Sequence, residues 1–189
     1  MAFTIGSVTC GFVTSAPTAD PGAANIIADD TINVVSDTTP AGAARITEIG
    51  WYCDGASEEA NFMVGLYASD GTVVPGEAGT LLYSDTTNAK GTDAGWKVVS
   101  VDWEISENTR YWIAITMDAT ATDTSTNRGL SGGSGRDARS GLHEFTNPFG
   151  GGALLDADGT VSIYAVYEEG TPSASNPGNI KQRQAYIIQ

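Results

Sequence analysis

The sequence predicts an all-β chain folded as a two-sheet β-sandwich, most simply a jelly roll of about eight strands. Three observations carry that prediction. The first is the stretch GWKVVSVDWEISENTRYWIAITM, from Gly95 to Met117. In it Val99, Val101, Trp103 and Ile105 alternate with Ser100, Asp102 and Glu104, and Tyr111, Ile113, Ile115 and Met117 alternate with Arg110, Trp112, Ala114 and Thr116. A strand sends successive side chains to opposite faces, so each run has one dry face. The second is composition: charged residues are 17% of the chain, against about 25% in typical globular proteins, and only three lysines occur. Long helices rarely form without Lys, Glu and Arg. The third is turn chemistry, with Asp54-Gly55, Asp70-Gly71 and Pro75-Gly76 punctuating the apolar runs.

Taken in order, Phe3 to Val13 reads as one or two short strands, with Phe3, Ile5, Val8, Cys10 and Phe12 as apolar points. Thr14–Ala24, with Pro17, Pro21 and Gly22, is a loop. Ile26 and Ile27, then Ile32, Val34 and Val35, make a short strand or a pair, ended by Pro40 and Gly42. Arg45–Asp54 is a strand with Ile49, Trp51 and Cys53 on one face. Ala56–Ala60 is a short acidic loop, after which Phe62, Val64, Leu66 and Ala68 alternate with Met63, Gly65 and Tyr67. Thr80–Ser84 is a short strand leading, through polar residues, to the pair in 95–117. Ser106-Glu107-Asn108-Thr109 joins that pair. As a hairpin it sets Trp103 across from Ile113 and needs an odd loop; with an even loop the two strands belong to different sheets.

From Thr120 to Gly159 the periodicity collapses into a Gly/Ser-rich stretch, read as one long loop of functional or disordered character. Val161–Tyr167 restores a strand with Val161, Ile163, Ala165 and Tyr167 on one face. Glu168–Asn179 is a Pro/Gly/Ser linker, and Ala185–Ile188 has the pattern of a last short strand. The chain thus divides into a β-sandwich domain over 1–169 and a linker with an extended C-terminal arm over 170–189. At 189 residues one such domain can bury a sizeable core.

The net charge is −14 and the pI near 4.1. Nucleic acid and anionic membrane surfaces need Lys and Arg opposite their phosphates, so both are excluded as partners. The charge is uneven. Residues 170–189 hold no Asp or Glu and carry Lys181 and Arg183, which leaves −16 (−14 less +2) on 1–169. A basic arm on an acidic body reads as a strap onto a neighbouring copy. Cys10 and Cys53 make no disulfide framework, and two buried thiols or one bridge both fit. There is no basic start followed by a long apolar run, no stretch of 18 apolar residues, and no Asn-x-Ser/Thr acceptor site.

Motifs for chemistry are sparse. His143 is the only histidine, which excludes a His-rich metal site. Gly129-Leu130-Ser131-Gly132-Gly133 matches G-x-S-x-G, so Ser131 with His143 defines a hydrolase reading. That motif works only between a buried strand and a helix, and polar residues precede it here. Glu58-Glu59 and Glu168-Glu169 are adjacent pairs, unlike two acids flanking a glycosidic bond. Asp156-Ala157-Asp158-Gly159 opens like a calcium loop, but Tyr167 stands where the closing bidentate Glu belongs. Asp156 and Asp158 are therefore weak metal candidates: no cofactor is expected, and calcium is the one ion the residues suggest. Four tryptophans occur, and Trp96 and Trp112 fall opposite the dry stripe. Left exposed they make a ligand platform for sugar stacking; covered by a second layer they are core.

The run GLYASDGTVVPGEAGTLLYSDTT, then GWKVVSVDW, then NTRYWIAI resembles a jelly-roll, galactose-binding-like β-sandwich module. Such modules occur in structural proteins of tailed phages and as accessory domains of extracellular microbial proteins. The resemblance spans Ile46–Met117, implies the fold, and carries no catalytic residues.

The leading expectation is a non-enzymatic virion structural protein of a tailed bacteriophage, capsid-decorating or tail-associated. It would assemble with itself and other virion proteins as a homo-oligomer. Its contact surfaces are expected at Ala2–Val13, in the 120–159 stretch, and along the arm at Ile180, Lys181, Arg183, Tyr186, Ile187 and Ile188. The alternative is an extracellular carbohydrate-binding module or adhesin that takes a cell-surface glycan on Trp96 or Trp112.

Overall fold

In a computed structural model the described residues are 2–22, 24–27, 31–56, 61–71, 77–86, 91–117, 125–131, 136–140, 142–150, 153–155 and 159–170. Their strands are β1 (Phe3–Ile5), β2 (Val8–Val13), β3 (Ala24–Ile27), β4 (Thr31–Thr38), β5 (Ala43–Ala56), β6 (Phe62–Ala68) and β7 (Leu81–Thr86). Then follow β8 (Gly95–Glu104), β9 (Arg110–Met117), β10 (Ser125–Ser131), β11 (Arg136–Ser140), β12 (Ala153–Leu155), β13 (Gly159–Val161) and β14 (Ile163–Glu169). Sheet one runs β1-β2-β14-β5-β10-β13, with β8 on the other side of β5 and β3 on β10; sheet two runs β12-β11-β4-β9-β6-β7.

Inside this larger set sits the eight-stranded jelly roll: β2-β14-β5-β8 in one sheet and β4-β9-β6-β7 in the other. The fold class is the one the sequence predicts, with accessory strands added at the sheet edges. β2 and β14 pair in parallel, whereas the other pairs are antiparallel.

The alternating apolar residues meet between the sheets. Ile46, Ile49, Trp51 and Cys53 of β5 pack with Phe62, Val64 and Leu66 of β6, Ile113, Ile115 and Met117 of β9, and Ile163 of β14. Ile46 and Ile49 share this face despite their odd spacing because the register shifts between Ile46 and Glu48, a bulge that turns the strand by one residue.

The chain from Trp103 to Tyr111 does not form a hairpin. β8 lies in sheet one and β9 in sheet two, so 105–109 is an arch between sheets, although its length is odd. Long-range hydrogen bonds decide the matter. Thr39, in the β4–β5 arch, is 1% exposed and donates its amide to the Thr109 carbonyl (3.0 Å). Its Oγ1 donates to the Ser106 carbonyl (2.7 Å) and accepts the Thr109 amide (2.9 Å), while its carbonyl accepts the Asn108 amide (3.0 Å). Two arches are thus stacked around one residue, through both its backbone and its side chain.

The 120–159 stretch is not one loop. It supplies β10 and the start of β13 to sheet one, and β11 and β12 to sheet two. Its segment Leu142–Gly150 lies over the outer face of sheet two, with Phe145 and Phe149 edge-on to Tyr67 at 6.0 and 5.3 Å. The Tyr67 hydroxyl donates to the Thr146 carbonyl (3.0 Å), and burial holds its pKa well above that of an ordinary phenol. Ala2–Val13, expected as a contact arm, is likewise built into the sandwich: Ile5, Val8, Cys10 and Phe12 are all buried.

The turn after β6 is clamped by Asp70, whose carboxylate accepts the Thr80 amide and the Thr80 hydroxyl, each at 2.7 Å. Those bonds hold its pKa below the ordinary carboxylate value. A depressed folded pKa contributes stability above the unfolded pKa and loses it as pH falls through the folded one. Asp70→Asn is therefore expected to lower the melting temperature at neutral pH. That deficit should shrink below the carboxylate range, as read by thermal melts from pH 7 to pH 2.

A hydroxyl-lined cleft as candidate binding site

The two tryptophans that are either a platform or core are placed differently. Trp112 is 4% exposed, packed with Ile32, Val34, Tyr67 and Ala114 under the 142–150 segment. Its Nε1 donates to Ser69 Oγ (3.3 Å) and the Arg110 guanidinium lies 5.5 Å from its ring centre. It is core, because the outer face of sheet two is covered. Trp96, on the outer face of sheet one, is half-buried, with Tyr52 edge-on at 5.4 Å and Tyr164 at 5.2 Å. Its Nε1 donates to the Ala19 carbonyl (2.9 Å). The ring is clamped and its one donor used, so it braces the loop that holds Ala19.

That loop forms one wall of a cleft of about 490 Å³, lined by residues from Ser7 to Thr9, from Phe12 to Ala19, and by Tyr167 of β14. Ser7, Thr9, Thr14, Ser15 and Thr18 bring five exposed hydroxyls, and Tyr167 brings a half-buried ring. No lining residue carries a charge. Each hydroxyl can donate once and accept twice, which suits a neutral ligand bearing many hydroxyls and gives no counter-charge to an ion.

The sequence left this cleft unmarked. Its signal is the composition of TSAPTAD, a hydroxyl-rich loop following directly on a buried strand.

The supporting shell is tightly set. Tyr164 is fully buried, and its hydroxyl donates to Glu48 Oε1 (2.7 Å). Burial first, then the Glu48 contact, keeps this phenol protonated well beyond its usual range. Cys10 is buried beside it, and burial pushes the thiol up to about 12. Cys10 and Cys53 are both buried thiols, and no disulfide joins them. A thiol this basic is a poor nucleophile.

The remaining candidates separate. Asp156, Asp158 and Glu58-Glu59 lie outside the described residues, as do Ile180, Lys181, Arg183, Tyr186, Ile187 and Ile188. Among the described residues no cluster of His, Cys, Asp and Glu could hold a metal ion. Ser131 ends β10, and the next described element is strand β11, so among the described residues Ser131 does not stand between a strand and a helix. His143 sits in the segment over sheet two, and its Nδ1 is buried with no hydrogen-bond partner among the described residues. Glu168 and Glu169 are exposed and line a second cleft of about 430 Å³ with Glu104, Arg45 and Ile105.

Fold and cleft together define a class: a jelly-roll β-sandwich with both outer faces partly covered and an uncharged, hydroxyl-bearing cleft beside β2. No protein family and no curated protein matches the sequence. Among solved structures the chain is similar to that of the cysteine protease and lectin-like domains of Cwp84, a surface-layer associated protein of Clostridium difficile. The TM-score is 0.53 at 12% identity, over 77% of this chain and 34% of that one. A second match is to the clostridial cysteine protease Cwp84 after propeptide cleavage, with TM-score 0.53, 12% identity, and coverage of 76% and 37%. The chain therefore spans about a third of the length of the proteins it matches, and the likeness is one of fold.

Proposed function

We propose that this chain is a non-catalytic carbohydrate-binding module of a surface-exposed or extracellular protein, taking a neutral saccharide in the cleft beside β2. The observation that carries the reading is the lining: five hydroxyls and a tyrosine ring without a single charge. The fold's likeness to a protein with a lectin-like domain and a surface-layer association supports the same reading. The acidic body adds selectivity, since a net charge of −14 repels sulfated and uronic-acid polymers and leaves neutral sugars unaffected. The reading involves no cofactor and no reaction. The likeness of fold to a surface-layer associated protein favours this reading over capsid decoration or tail association, and the apolar residues Ile5, Val8, Cys10 and Phe12 of the expected contact segment are buried.

A glycan array tests it. The wild type is expected to retain neutral oligosaccharides and to ignore sulfated ones. Tyr167→Ala should weaken binding about tenfold or more, which corresponds to about 1.4 kcal/mol. Tyr167 also touches the core, so the double variant Thr9→Ala/Thr14→Ala, at two exposed positions, gives a second reading without a packing change. Retention of sugar at wild-type affinity by both variants would remove the cleft from consideration.

A further inference from the structure

We propose that Trp96 is a positioning residue for the cleft beside β2: it fixes the spacing of the two walls without touching the saccharide. The inference rests on the reading of that cleft as a saccharide site. The wall in question is the loop that follows β2. At its near end Val13 is held in the parallel ladder, opposite Val166 of β14. Its far end is held at Ala19, Asp20 and Pro21. The Ala19 carbonyl accepts the Trp96 Nε1 proton (2.9 Å), and Asp20 Oδ1 accepts the Gly22 amide (2.7 Å). Pro21 is buried against the β1–β2 turn, where a Cβ at Gly6 would stand 1.8 Å from its carbonyl oxygen. Of those three residues Ala19 lines the cleft, so the bond from Trp96 is the anchor that bears on its shape.

The opposite wall depends on the same side chain. Val8 lines the cleft and belongs to a buried cluster with Ile5 and Cys10, and the Trp96 ring packs against that cluster. Trp96 therefore joins the apolar cluster of one wall to the backbone of the other, while lining no part of the cleft itself.

The ring has little latitude. In the β5–β8 ladder Trp96 stands opposite Tyr52, whose ring meets it edge-on at 5.4 Å. Tyr164 meets it at 5.2 Å, and that tyrosine is fully buried and bonded to Glu48 Oε1 (2.7 Å). An indole has one donor and no acceptor, so a ring locked in this way presents its hydrogen at a fixed point. Binding groups are held most precisely by side chains that packing has already locked. Ser15 and Thr18 reach the cleft from the span this bond tethers. A wall ordered before the ligand arrives spares binding the cost of ordering it.

The test compares the full chain with Trp96→Phe, which keeps a ring between Tyr52 and Tyr164 and removes the donor. Backbone order parameters of Thr14–Ala19 in the free proteins are expected to fall from about 0.85 to below about 0.6, with β5 and β14 unchanged. Titration with neutral hexopyranose oligomers should show an affinity about fivefold lower, the scale of one hydrogen bond. In the wild type the Trp96 indole N–H resonance should shift together with the cleft amides as the site fills. A resonance that stayed still while those amides moved would overturn the inference without need of the variant. So would equal affinity in the two proteins, or order lost across β5 and β14 as well. A loop equally ordered in both would overturn it too, and weaker binding would then make Trp96 a direct contact. A wild type that bound none of the oligomers would end the saccharide reading, and the order parameters would still decide whether Trp96 sets the wall.

Discussion

Trp112→Ala is expected to cost about 3–5 kcal/mol of folding stability, the usual range for truncating a buried tryptophan. Its ring is 4% exposed and fills the space between sheet two and the segment that lies over it, beside Tyr67 and Ala114. Alanine would leave a cavity bounded by β-strands that cannot close, remove the hydrogen bond to the Ser69 hydroxyl, and remove the surface under the Arg110 guanidinium. Urea melts of wild type and variant measure the loss. The informative control is saccharide binding at low denaturant, which should persist in whatever fraction remains folded, because the cleft beside β2 shares no lining residue with this cluster. A variant of wild-type stability that had lost its sugar would restore Trp112 as a platform.

Gly50→Val should be nearly as damaging, at about 3 kcal/mol, for the opposite reason. Gly50 lies directly across from Tyr164, and a Cβ at Gly50 would stand 2.3 Å from that ring. The tyrosine is fully buried and cannot swing aside without breaking its bond to Glu48 and its edge contact with Trp96. Overpacking of this kind costs about 1–3 kcal/mol, and the lost hydrogen bond adds about 1. The double-mutant cycle makes the cause visible. In a Tyr164→Ala background the same valine has space, and its cost should fall below about 0.5 kcal/mol. Equal costs in the two backgrounds would mean that strand propensity, not the ring, forbids a side chain there.

The legible part of the fold was that in which alternation and burial coincide. β5, β6, β8, β9 and β14 each place the predicted apolar residues in the inter-sheet core, from Ile49 and Trp51 through Ile113 to Ile163. The strands that sequence reasoning missed include β12 and the two longer ones, β10 and β11, which read STNRGLS and RDARS. These two join their sheets by backbone pairing to β3, β5, β13, β4 and β12, which leaves no apolar period to detect. The arch at 105–109 was undecidable locally, because the partners that hold it, Thr39 and Gly42, lie more than sixty residues away. The outer face of sheet two was open to two readings. Tyr67 and Trp112 stand where a one-sided sheet would be wet, and they are buried under the 142–150 segment, whose own sequence shows no regular pattern. The cleft was hidden for a simpler reason: serine and threonine in a loop are ordinary, and only the placement of Tyr167 across from them gives them a shared target.

The central claim is that the uncharged cleft beside β2 binds a neutral saccharide, and a nuclear magnetic resonance titration addresses it most directly. With neutral hexopyranose oligomers added to the isotope-labelled protein, saturable shifts are expected at Ser7–Thr9, Val13–Ala19 and Tyr167. The amides of β6 and β9 should stay still. Shifts centred on any other surface, or none across the whole neutral series, would contradict the account.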